Sequence, residues 1–173
     1  MGIQLTQVST TGKYRLPPTP DDESVKNLLK EITDVHGPVD GFVYLACENA
    51  PEAERFDEPV LFLFAKHMQR VMRPSQHGGR QCFVVCTSLD GRLGIGENLT
   101  TRAQRGAVFG LLKSLRQEWP QVFCRAIDFA PSLSPEQRIE SLLAELQDPQ
   151  DGLVEVGIDQ AGRWTIHWQE ALS

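Results

Sequence analysis

Apolar residues recur along this chain in two rhythms. Val25, Leu28, Leu29 and Ile32 repeat at helical spacing behind Asp21-Asp22, with Gly37 beyond the end. Acidic side chains suit a helix N-terminus and glycine its exit, so a helix is predicted there. Gly41–Cys47 is a continuous apolar run, the pattern of a central parallel strand covered on both faces. Pro59 then sits near the first turn of an apolar helix reaching about Met72, and Gly78-Gly79 break the chain before a strand at Gln81–Thr87. A helix over Thr101–Glu118 stops at Trp119-Pro120, and Val122–Phe129 is a further strand. Ser134-Pro-Glu-Gln137 reads as a capping box, opening a helix with Ile139, Leu142, Leu143 and Leu146. Two alternating runs, Leu153–Ile158 and Arg163–Trp168, form a hairpin around a Gln-Ala-Gly turn. Near the start, Ile3–Val8 reads as a strand and Lys13–Leu16 as an extended piece ended by prolines.

Strands alternating with helices predict an α/β fold. The expectation is a truncated Rossmann-like three-layer α/β/α domain over residues 1–173, with a mostly parallel sheet and a C-terminal β-hairpin. The length of 173 residues suits one domain, with 40% hydrophobic and 23% charged residues. A net charge of −6 without a basic face argues against nucleic acid. No apolar run reaches membrane-spanning length, and the N-terminus lacks the order of a signal peptide. Met1-Gly2 allows a myristoylation reading, but without a second membrane signal a start introduced for expression is preferred. Cys47, Cys82, Cys86 and Cys124 lie in or at apolar runs, as buried thiols of a reducing cytoplasm do. Cys82, Cys86 and His77 lack the spacing of a zinc knuckle, so no metal is expected.

Candidate chemistry is sparse. Gly91-Arg-Leu-Gly94-Ile-Gly96 lacks the third glycine and the later acid of a dinucleotide fingerprint, so a flexible loop is expected rather than a cofactor cradle. Histidines 36, 67, 77 and 167 are scattered, and nothing pairs one of them with Ser88.

The run Arg105-Gly-Ala-Val-Phe-Gly-Leu111 resembles the Lys-Ala-Ala-Val-x-Gly-Leu of short-chain dehydrogenase/reductases. That resemblance puts Ser88 at the family's serine, Arg105 at its lysine and Thr101 at its tyrosine. A threonine hydroxyl cannot replace a phenol of pKa about 10 as the acid. Arginine does not reproduce the tuning lysine. These are therefore read as degenerate positions, with no catalytic residue and no cofactor site in the chain.

The whole chain, not only its middle, resembles the structural subdomain of ketoreductases in modular synthases. Gly12-Lys-Tyr14-Arg-Leu16-Pro17 precedes Asp21-Asp22 and Leu28-Leu29, and Tyr44-Leu45-Ala46 ends a strand. Gly110-Leu-Leu-Lys-Ser-Leu-Arg-Gln-Glu118-Trp-Pro120 precedes Arg125-Ala-Ile-Asp128, and Glu155-Val156 is followed by Gly162-Arg163. The stretch Glu118–Asp128 is similar to bacterial polyunsaturated fatty acid synthases and related iterative polyketide synthases. That family's structural half usually opens with a further strand–helix–strand, missing here, so the chain reads as a piece of a larger multidomain synthase. The resemblance implies a non-catalytic half bracing an NADPH-dependent catalytic half, which reduces β-ketoacyl thioesters on an acyl carrier protein. It implies partner domains of the same synthase, or self-association, through Val108, Leu111, Leu112 and Leu115. The alternatives are a divergent active reductase using Ser88, or a stand-alone protein-interaction domain.

Overall fold

The computed structural model describes residues 13–45, 58–72, 79–96 and 106–167. The expected strand Ile3–Val8 lies outside them, as do Cys47, His77, Thr101, Arg105 and Trp168. The chain divides into two compact units. The first holds helix α1 (Asp22–His36) and helix α2 (Glu58–Val71). The second holds five strands, β1 (Gly41–Leu45), β2 (Cys82–Thr87), β3 (Phe123–Phe129), β4 (Glu155–Asp159) and β5 (Gly162–Trp164), with helices α3 (Ala107–Glu118) and α4 (Pro135–Gln147).

In the first unit α1 begins as its sequence dictates. The Asp21 carboxylate accepts the Ser24 N–H at 2.8 Å, and the Ser24 hydroxyl bonds back to the Asp21 backbone. Val25, Leu28, Leu29 and Ile32 are all buried, and Gly37 closes the helix at φ +84°. Buried Tyr14 hydrogen-bonds His36 at 2.7 Å, pinning the extended piece to the helix end. Asp22 ties α1 to α2 through Lys66 and the buried His67.

In the second unit the order is β1-β2-β3-β4-β5, with β1 to β4 parallel and β5 antiparallel. This is an α/β, Rossmann-like sheet, and the hairpin's first strand belongs to its parallel part. β1 departs from expectation. Among the described strands it forms an edge rather than the centre, and Val43 and Leu45 are exposed. An apolar run suits a strand but fixes neither its place in the sheet nor how far it is covered.

β3 is the spine, buried at every position. Its odd residues Phe123, Ile127 and Phe129 pack with Val84, Cys86, Val156 and Ile158, beneath Leu142 and Leu146 of α4. Its even face bears α3: Lys113 reaches Glu155, the register partner of Ala126, at 2.8 Å. Trp119 at the end of α3 meets Phe83 edge-on at 5.8 Å. The two helices thus cover opposite faces. Among the described residues no helix is long and apolar enough to cross a membrane.

Arg125 is fully buried on the α4 side. It donates to Glu145 at 2.5 Å and Asp148 at 3.1 Å, and to the Gln150 carbonyl at 2.9 Å. Arg163 of β5 shares both carboxylates. Burial, with the nearby charge of Arg163, lowers the Arg125 pKa, while the two acids oppose that without fully offsetting it. This network joins β3, α4 and β5. Removing one partner of a buried ion pair strands the others. Arg125→Met should therefore destabilise the protein by about 3 kcal/mol in urea unfolding, and Glu145→Leu on the same background should recover part of the loss.

Candidate functional site

In open α/β sheets ligands bind beyond the carboxyl ends of parallel strands. In the second unit that place is filled by the segment Ser88–Gly96, which leaves β2 and lies beside the end of β3. Its geometry is set by two carboxylates. Asp128, the sixth residue of β3, is fully buried. It accepts the N–H groups of Leu89 at 2.6 Å, of Gly91 and Leu93, each at 2.9 Å, and of Asp90 at 3.5 Å. Asp90 accepts those of Arg92 at 2.8 Å, Gly94 at 2.9 Å and Gly96 at 2.8 Å.

This differs from the flexible loop expected from the glycines. Gly91 and Gly94 take φ +75° and +74°, and Leu93 between them takes +63°. Left-handed backbone at a leucine costs roughly 1–2 kcal/mol, here offset by its bond to Asp128. Successive N–H groups in such a turn form a concavity suited to an anion. The protein supplies that anion itself, so these donors face inward to side chains.

The segment is also wedged from below. A Cβ on Gly157 of β4 would stand 2.3 Å from the Gly91 carbonyl oxygen, and one on Gly91 would stand 2.5 Å from the Ile158 carbonyl oxygen. Arg92 bonds Asp159 at 2.8 Å and stacks over Trp164 at 4.5 Å. The Trp164 side chain, with Arg92, holds the Asp159 pKa down at about 2.

Burial pushes the Asp128 carboxyl up to about 6, and the neighbouring Asp90 carboxyl adds to this against the pull of the backbone N–H groups. Burial also works against the charge on Asp90, but its three N–H donors and Asp128 outweigh it and hold its pKa below the ordinary range.

Ser88 is brought to this site but turned inward. It is buried, and its hydroxyl donates to the Phe129 carbonyl at 3.0 Å. Thr101 and Arg105 fall outside the described residues, so the constellation of three is not assembled here. The α3 residues expected to face a partner are mostly core: Val108, Leu112 and Leu115 are buried, and Leu111 is half-buried. They form the apolar stripe of an amphipathic helix, which turns toward its own sheet. Cys86 and Cys124 are buried free thiols whose pKa burial pushes to about 12, far from nucleophilic range.

Asp90 and Asp128 were not singled out from the sequence as site residues. A signal was present in Asp90-Gly91, since aspartate before glycine nucleates tight turns.

Comparison with known proteins fits this geometry. One of the subunits of the polyunsaturated fatty acid synthase of Thraustochytrium sp. is 32% identical over 169 residues, covering 91% of this chain. The chain spans only 6% of that protein's length. No protein-family model matches the chain. Among solved structures, a C2-type ketoreductase from a modular polyketide synthase superposes with TM-score 0.57 at 18% identity, covering 86% of this chain and 32% of that one. A short-chain type dehydrogenase/reductase from Mycobacterium ulcerans gives 0.55 at 14%, covering 82% and 66%. Aldohexose dehydrogenase of Thermoplasma acidophilum gives 0.51 at 21%, covering 83% and 63%. At such identities the structural likeness is one of fold. The chain thus has a Rossmann-type α/β fold and is homologous to a stretch of a polyunsaturated fatty acid synthase subunit.

The wedge under the loop is directly testable. Gly157→Ala should cost about 3 kcal/mol in chemical denaturation, because only backbone lies against the new methyl group. Gly152→Ala, with nothing within 4 Å, should stay within roughly 0.5 kcal/mol of the parent.

Proposed function

We propose that this chain is the non-catalytic structural half of a ketoreductase in a fatty acid or polyketide type of synthase. Its task is to brace a catalytic half that holds NADPH and reduces β-ketoacyl thioesters on an acyl carrier protein. The observation that carries this reading is the inward-turned loop. Seven backbone N–H groups that could face a phosphate are bonded to Asp90 and Asp128, and the Ser88 hydroxyl is bonded to Phe129. Reduction needs an accessible donor beside the substrate carbonyl and an acid of suitable pKa. Ser88 offers no exposed surface, and the sequence places Thr101 and Arg105 where the resembled reductases carry tyrosine and lysine. Homology over most of the chain to part of a synthase supports the setting.

The partners in this reading are the catalytic ketoreductase half and other domains of the same synthase, or a second copy of the chain. The accessible side of α3 is the surface offered: exposed Ala107, Gly110 and Ser114 with half-buried Leu111. Small residues let a partner helix approach closely, and Leu111 supplies apolar contact.

Calorimetric titration with NADPH tests the catalytic side. No binding is expected at 0.1 mM-order ligand, about a hundredfold above micromolar affinity. Micromolar binding, or turnover of a β-ketoacyl thioester, would overturn the reading in favour of a divergent reductase. Co-expression with the catalytic half should give a complex that Leu111→Lys weakens about tenfold or more, a loss near 1.4 kcal/mol. A complex with an unrelated protein, and none with a ketoreductase half, would instead support a stand-alone interaction domain.

A further inference from the structure

Ile139, Leu142, Leu143 and Leu146 form one apolar stripe along α4, and the sheet beneath covers only part of it. Leu142 and Leu146 pack against the core around β3. Ile139 and Leu143, a helical turn apart, are 59% and 51% exposed. Beside them Glu136 and Glu140 form an exposed acidic row, also a turn apart. Among the described residues neither pairs with a cation. The one cation of α4, Arg138, donates to the Ala130 and Pro131 carbonyls.

The outer face of α1 is built differently. There Lys26 pairs with Glu23 at 3.1 Å and Lys30 with Asp34 at 2.5 Å, so these acids are answered on their own helix. On α4 an apolar pair takes that place, and the acids beside it have no such answer. We propose that the Ile139–Leu143 face of α4 is a docking site for a segment with apolar and basic side chains from elsewhere in the same synthase polypeptide. The site presupposes the synthase setting proposed above, and it lies on the sheet face opposite α3.

Charge, symmetry and size choose this occupant. Glu136 and Glu140 attract Lys or Arg on an incoming segment and repel an acidic one. A second copy docked through the same face about a twofold axis would set each acidic row against its own counterpart. That like-charge contact, with a net charge of −6 on each chain, disfavours self-association here. Ala144 leads from the ridge into a groove it lines with Gln147, Pro149, Gln150 and Arg163. Even so, the surface follows a single helix of 13 residues, about 20 Å long. One such face offers well under the roughly 800 Å² per partner of a stable free complex. It holds a partner that is tethered, at an effective concentration on the order of mM. A segment of the same polypeptide meets that condition, and the homologous synthase subunit is a polypeptide of which this chain spans 6%.

Hydroxyl-radical footprinting, read by peptide mass, reports both side chains without a variant. In the isolated 173-residue chain Ile139 and Leu143 should be oxidised freely at every protein concentration. In a polypeptide carrying the whole synthase subunit their oxidation should fall about fivefold, the shielding given by a tethered segment docked about four-fifths of the time. Glu136→Lys combined with Glu140→Lys should bring oxidation back to within about twofold of the isolated chain. As an isolated chain this variant should keep the parent's oxidation pattern elsewhere, which checks its fold. Undiminished oxidation in the long polypeptide overturns the proposal, as does shielding that survives the charge reversal. Shielding that grows with concentration in the isolated chain also overturns it and assigns the face to a second copy. NADPH binding, or a complex indifferent to Leu111→Lys, with the α4 shielding intact counts against the non-catalytic reading alone.

Discussion

Asp128 brings a carboxyl group into the interior of a parallel sheet, and burying one demands hydrogen-bond donors at once. It finds them in the backbone that leaves β2. That demand shapes the carboxyl end of the sheet. Leu89–Gly96 must fold back over β3, two glycines and one leucine must turn left-handed, and Gly157 must stay without a side chain. Asp90 completes the arrangement by taking the donors that Asp128 cannot reach.

β3 carries this polarity on both faces. Asp128 points to one side and Arg125 to the other, each without exposed surface. Arg125 is answered by Glu145, Asp148 and Arg163, so the strand is tied to α4 and β5 on the face opposite α3. Apolar packing alone would not specify which helix end and which hairpin meet at that point. Ion pairs with fixed geometry do so, at a desolvation cost the rest of the core must offset.

The same carboxylates bear on function. A Rossmann-type sheet ordinarily leaves its carboxyl ends open for a ligand. Here the donors nearest that crevice are bonded within the chain, and the serine that would face a substrate is bonded to a neighbouring carbonyl. The proposed reading, a fold kept for its shape and its surfaces beside a catalytic half, rests on this arrangement.

Local signals determined much of what the sequence revealed. The capping boxes at Asp21 and Ser134, the helical stripes of α1 and α3, the apolar strands β2 and β3 and the closing hairpin all depend on residues within a few positions of each other. The reading of Ser88, Thr101 and Arg105 as degenerate positions, part of the proposed function, rests on residue identity alone. Tertiary structure decided the rest, because it depends on neighbours distant in sequence. Among the described strands, the edge position of β1 depends on which strand lies beside it, not on its own apolar run. The inward turn of Val108, Leu112 and Leu115 follows from the sheet beneath α3, whereas the sequence shows only that the stripe exists. The order in a glycine-rich loop came from Asp128, more than thirty residues downstream of the amides it holds. A carboxylate's partners are set by what the fold brings within 3 Å, and no local pattern carries that information.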